Sequence, residues 1–212
     1  MATATPPITN PRTAEIALAD LHRFTLADYN RMGESGVLDE DQQVELLDGL
    51  VVKRMTKGPR HVTVSHRLYG FMKERLPEGW VARMEAPILL PAGPKGDSAP
   101  EPDVAVVAGT AEDYNLVHPG PEAVALVVEV AASRERLGED RNGLERYAWA
   151  NVPMVWIVNL ADDSIEVYSG PTRGDQGRNP HYELATTHRR DDVMTIALGG
   201  REVAIPVEEI LR

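Results

Sequence analysis

The chain has 212 residues, 42% of them hydrophobic and 26% charged, with a net charge of −11. That is enough chain to bury one full core, and its charge argues against a broad basic surface for nucleic acid, though not against a local groove where metal ions meet phosphate. The absence of cysteine excludes disulfide staples, thiolate zinc sites and a cysteine nucleophile and makes a cytoplasmic location the expectation, and no apolar run approaches the ~18–20 residues of a membrane span.

Residues 1–20 read as a disordered lead and 21–212 as a single domain, because Met1 to Arg12 is small, polar and proline-bearing and no linker or repeat divides the remaining chain. Thr25 begins a short helix, with Asp28 at the capping-box position. Gln43 to Val52 predicts strand, Asp48-Gly49 turn, strand. From Arg60 to Leu76 the apolar residues recur at helical spacing, and Trp80 to Leu90 alternates as a strand before a Gly/Pro/Ser loop to Pro100. Strands are expected at 105–107 and 125–130, a charged helix at 134–150, and further strands at 153–160 and 164–168. Ser169 to Pro180 reads as a polar loop, 182–187 and 193–196 as late strands, and 207–211 as a closing helix. The fold class is α/β, a bent mixed β-sheet flanked by helices.

Two hydrophobic runs carry acids. Pro100-Glu101-Pro102-Asp103-Val104-Ala105-Val106-Val107 has Asp103 at its entry, and Val124-Ala125-Leu126-Val127-Val128-Glu129-Val130 encloses Glu129. An ionised carboxylate in a buried strand is costly unless paired, and two on strands close in sequence suggest a shared divalent ion, a hard cation that takes oxygen ligands and keeps several waters. On the residues alone Asp103 also reads as a Pro-Asp turn former and Glu129 as a paired structural acid. Glu45 is either a third acid or an exposed strand residue, and Asp48 reads as a turn former. His61 either reaches the pocket from its helix start or has a capping or core role. Glu85 and the set Arg134, Glu135, Arg136, Glu139 and Asp140 read as solvated, and Trp156 as core.

These elements together resemble the Uma family of putative restriction endonucleases, within the PD-(D/E)XK nuclease-like superfamily. The resemblance rests on Glu45-Leu46-Leu47-Asp48-Gly49, on His61, and on Glu101-Pro102-Asp103-Val104-Ala105-Val106-Val107. It continues in Leu126-Val127-Val128-Glu129-Val130, in Tyr147 with Asn151 to Val158, and in Ile205 to Leu211. It implies a restriction-endonuclease-like core and Mg²⁺ or Mn²⁺ held by Asp103, Glu129 and a main-chain carbonyl at Val130. It implies Glu45 and Arg146 as further catalytic residues, His61 at the pocket, DNA as a weakly bound, salt-sensitive partner, and a homodimer. The family's helix lysine, four residues before the tyrosine, is Gly143 here. Arg146 lies near the same face, but arginine stays protonated and cannot act as a base. Weakened DNA phosphodiester cleavage is therefore expected, with a non-catalytic binding or assembly module as the alternative.

Overall fold

A computed structural model describes residues 17–212. The disordered lead expected over 1–20 lies outside the described residues as far as 16, and Leu18–Asp20 form one 3-10 turn. Helix α1, Leu26–Glu34, starts with the expected capping box, in which Thr25 accepts from the Asp28 amide and Asp28 accepts from the Thr25 amide. Strands β1, Val44–Leu47, and β2, Leu50–Lys53, form a hairpin whose turn places Asp48 and Gly49 at φ 52° and 77°. Two successive left-handed residues match the twist of tight hairpins, which is why Asp-Gly stands there. The hairpin docks by backbone onto the following loop, with the Ala99 amide donating to Leu46 and the Gly49 amide to Asp97.

Helix α2, Pro59–Arg75, begins with proline at its first turn, where the missing N–H costs nothing. Strand β3, Trp80–Met84, ends earlier than the alternation suggested: Glu85 takes φ 47° and turns the chain out of the sheet. Strands β4, Val104–Ala108, and β5, Val124–Ala131, follow, then helix α3, Arg134–Trp149, capped by the Ser133 hydroxyl. Strands β6, Met154–Asn159, β7, Ser164–Thr172, and β8, His181–Arg189, complete a six-stranded sheet in the order β3-β4-β5-β6-β7-β8. Every neighbouring pair is antiparallel except β5 with β6, whose parallel pairing requires the α3 crossover.

The chain closes with β9, Val193–Leu198, β10, Arg201–Pro206, and α4, Val207–Leu211. The sequence reading missed β10. Gly199 and Gly200, at φ 55° and 78°, turn the hairpin, and Val203 and Ile205 supply its buried face. It also ended β7 too soon, reading Gly170 and Pro171 as loop where they lie inside the strand. The register of β4 against β5 shifts between Val106 and Val107, a bulge of the kind that bends strands.

Both faces of the sheet are covered. Val104, Val106, Leu126, Val128 and Trp156 pack against Val64, Leu68, Phe71 and Met72 of α2 and against the β9–β10 hairpin. Ala105, Val107, Val127 and Val155 pack toward Tyr147 and Ala148 of α3, and Ile157 beneath Leu137. Each such side chain contributes roughly 1.5–3 kcal/mol on burial, and coverage on two sides explains why these strands are continuous apolar runs. Trp156 is fully buried, as expected. None of the helices among the described residues is long and apolar enough to cross a membrane.

Candidate active site

The pairing of β4 with β5 decides where the two strand acids go. Val104 lies opposite Val128, so one step further the register carries Asp103 to the position facing Glu129. Strand alternation turns Glu129 to the side of Val127 and Ala131, toward α3. A cavity of about 640 Å³ opens there, between the β1–β2 hairpin, the segment leading into α2, and the inner face of α3.

Asp103 is buried and fully engaged. Its Oδ1 accepts from Lys57 Nζ at 2.8 Å, and its Oδ2 from the Val130 amide at 2.7 Å and lies 3.0 Å from His61 Nε2. Burial pulls its pKa upward, but the His61 hydrogen bond and charge, then Lys57, prevail and hold the carboxyl below its ordinary value. Glu129 has the opposite balance. Its one hydrogen bond among the described residues is from the Tyr147 hydroxyl, 2.8 Å from Oε1, while burial and the neighbouring Asp140 and Asp103 push its pKa well above the usual range.

Asp140 belongs to the same cluster and not to a solvated face, contrary to the sequence reading. It is buried at the cavity wall, its Oδ1 lies 3.0 Å from Arg136 Nε, and its Oδ2 has no hydrogen-bond partner. Burial raises its pKa to about 7, against the opposing pull of Arg136. Leu137, Asp140, Gly143, Tyr147 and Ala148 form the buried stripe of α3. Their spacing of three and four residues was the signal that could have placed Asp140 inside.

Glu45 reaches the cavity from β1, and its Oε2 accepts from the Glu101 amide at 3.1 Å. Asp48 is the turn former expected, and it also accepts from Arg146 Nη2 at 3.2 Å. Arg146 therefore faces the cavity from α3 tied to the hairpin, with its Nε unpartnered. Glu101 pairs with Arg54, and Glu145 with Lys95. Val130 meets Asp103 through its N–H. Gly143 lies on the cavity wall, where an added Cβ would meet only Arg146 Nη1, at 3.4 Å.

Lys57 was missed. It sits in the irregular segment between β2 and α2, so no periodicity points to it. It bridges Asp103 and Glu85, whose Oε1 lies 3.1 Å from its ammonium. Glu85, read as solvated, is turned to Lys57 where β3 ends.

The site thus concentrates carboxylates on a cavity rich in hard oxygen donors. No group of three or more His, Asp or Glu side chains among the described residues converges as a closed metal cage would. Asp140 Oδ2, which has no hydrogen-bond partner, and Glu129, with a single one, are nonetheless hard oxygen donors of the kind that suits Mg²⁺, which dehydrates reluctantly.

The family model described as putative restriction endonuclease matches residues 26–208, nearly the whole described chain. No curated protein matches the sequence. Among solved structures, the chain is similar to a putative nuclease belonging to DUF820 from Anabaena variabilis. That similarity has a TM-score of 0.64 at 12% identity and covers 89% of this chain and 97% of the other. At that identity it speaks for the fold alone, a nuclease fold.

Proposed function

The chain belongs to the Uma2 family of putative restriction endonucleases, and on that premise we propose that its acidic cavity is a divalent-metal-dependent endonuclease centre acting on DNA phosphodiesters. The observation that carries this reading is the unbalanced charge at the Glu129–Asp140 pair. Two adjacent buried acids with raised pKa values and an orphaned Asp140 Oδ2 lie beside an ionised Asp103. Packing gains nothing from such an arrangement, whereas a cation offsets it. Asp103 and Glu129 would hold Mg²⁺ or Mn²⁺, with Glu45 assisting from β1 and the Val130 main chain alongside. The bound ion would neutralise charge on the phosphodiester and lower the pKa of a ligated water.

The protein's own residues have distinct parts. Tyr147 fixes the Glu129 carboxylate in place through its hydroxyl. His61 and the Val130 amide hold Asp103 in one orientation and ionised. Arg146 offers a guanidinium to a phosphate that displaces Asp48, and it cannot take a proton from water. DNA binding through few free cations is salt-sensitive, and a homodimer would pool two such patches. A cytoplasmic location fits this substrate.

A second reading, a non-catalytic binding or assembly module, is favoured by Gly143, which leaves α3 without the family's lysine. Calorimetry with Mn²⁺ and nicking of supercoiled plasmid separate the two. The endonuclease reading expects Mn²⁺ binding that Asp103→Asn abolishes, together with metal-dependent nicking. Equal Mn²⁺ affinity in natural and Asp103→Asn proteins would eliminate the metal site.

A further inference from the structure

With glycine where the family resemblance puts a lysine, α3 presents no side chain to the cavity at Gly143, and Arg146 Nη1 lies 3.4 Å from its Cβ position. The remaining cations that line the cavity mostly serve other acids. Arg146 is bound to Asp48, Arg54 to Glu101, Lys95 to Glu145 and Arg136 to Asp140 and Glu139. Lys57 is different. Among the described residues it is the one lysine or arginine in ion-pair reach of Asp103, and it approaches from the α2 side, across the cavity from α3.

We propose that Lys57, held by Glu85, supplies in this chain the charge-stabilising ammonium that the missing helix lysine would have offered, without acting as a base. The proposal rests on the endonuclease reading of the same cavity. An ammonium carries three donors that rotate freely. Two of them are used, on Asp103 Oδ1 at 2.8 Å and on Glu85 Oε1 at 3.1 Å. The third is left for an oxygen in the cavity, either the attacking water or a non-bridging phosphoryl oxygen. Arginine, a rigid planar fork, would not distribute its donors in this way.

Glu85 is a positioning residue. A non-glycine residue at φ 47° occupies a left-handed conformation that L side chains rarely adopt, and here that turn brings its carboxylate to Lys57. In the hydrolytic step the water oxygen forms a bond to phosphorus as the bond from phosphorus to the leaving sugar oxygen breaks. One water proton passes to solvent, and the leaving oxygen takes a proton from solvent. Lys57 keeps its proton throughout and stabilises the charge that develops on the phosphoryl oxygens.

The test uses the full chain with Mn²⁺ as the probe metal and supercoiled plasmid as substrate. The natural chain is expected to nick, and Lys57→Met to nick roughly 100-fold more slowly, the scale of losing one well-placed donor. The double variant Lys57→Met/Gly143→Lys is expected to recover roughly tenfold of that loss, because it returns an ammonium from the opposite wall. A purely structural lysine would not be rescued from another element. Calorimetry adds a readout independent of turnover: Lys57→Met should bind Mn²⁺ more tightly, since a positive charge beside Asp103 is gone. Glu85→Gln should slow nicking less than Lys57→Met does, with Mn²⁺ still bound. Undiminished nicking by a folded Lys57→Met overturns the inference, and so does a natural chain that binds Mn²⁺ without nicking. Failure of the natural chain to bind Mn²⁺ overturns the reading beneath it.

Discussion

Glu129 and Glu166 stand in one row of the sheet, on either side of Ile157 and under the same helix, yet they are treated in opposite ways. Arg141 of α3 meets Glu166 with two hydrogen bonds, at 3.0 and 2.6 Å, and the Tyr168 hydroxyl adds a third at 2.7 Å. Burial would raise the Glu166 pKa, but these bonds win and hold it below the usual range. At Glu129 the same helix sends a tyrosine and an aspartate, and burial with like charge wins instead. Where α3 satisfies an acid it ties the helix to the sheet. Where it crowds one, burial and neighbouring acids push the pKa up. The difference separates an acid that the fold satisfies from one that it leaves with a single hydrogen bond, without reference to any relative.

The largest expected effect comes from Asp103→Asn. It removes the charge that Lys57 and His61 enclose, and should cost about 2–3 kcal/mol in urea denaturation together with Mn²⁺ binding by calorimetry. Glu166→Gln should cost about 1–2 kcal/mol, discounted because Arg141 is half exposed, and should leave Mn²⁺ affinity untouched. A loss of Mn²⁺ binding there would dissolve the contrast.

Glu129→Gln should have the opposite sign and raise the melting temperature. The natural protein loses stability as pH rises from the ordinary glutamate value of 4.5 through the raised folded value, because the native state holds its proton longer. The advantage of Glu129→Gln should therefore be wide near about pH 8 and narrow toward about pH 5. Glu166 gives the reverse: its contribution is present above 4.5 and is lost as pH falls through its lowered folded value. Thermal melts from about pH 3 to about pH 8 check both signs. The smallest effect is Gly143→Ala, a gain of about 0.5 kcal/mol in chemical denaturation, because the added methyl group meets only the end of Arg146.

The strand core was legible because β4 and β5 are continuous β-branched runs, and the acids within them stand out against that pattern. Asp103 and Glu129 could be placed on adjacent strands from those runs alone, and the capping box at Thr25 and the turn at Asp48 were equally local. Tertiary context decided the rest. Lys57 lies in an irregular segment whose course depends on where α2 docks. Glu85 leaves its strand for a conformation that no alternation encodes. Asp140 sits in a run of charges that looks solvated unless its spacing to Leu137 and Tyr147 is followed. Gly170 and Pro171 have the composition of a loop, yet both lie inside β7, where Pro171 faces Tyr182 of β8.

The parallel pairing of β5 with β6 bears on the order in which the molecule acquires its parts. The antiparallel neighbours β6 and β7 can close through a short turn, whereas β5 and β6 cannot meet until α3 has been laid across the sheet. Glu129 lies on the strand that enters this crossover, and Asp140 and Tyr147 lie on the helix that makes it. The acid cluster is therefore expected to assemble late in folding, and refolding followed by Trp156 burial should show Mn²⁺ competence arriving with the final native phase.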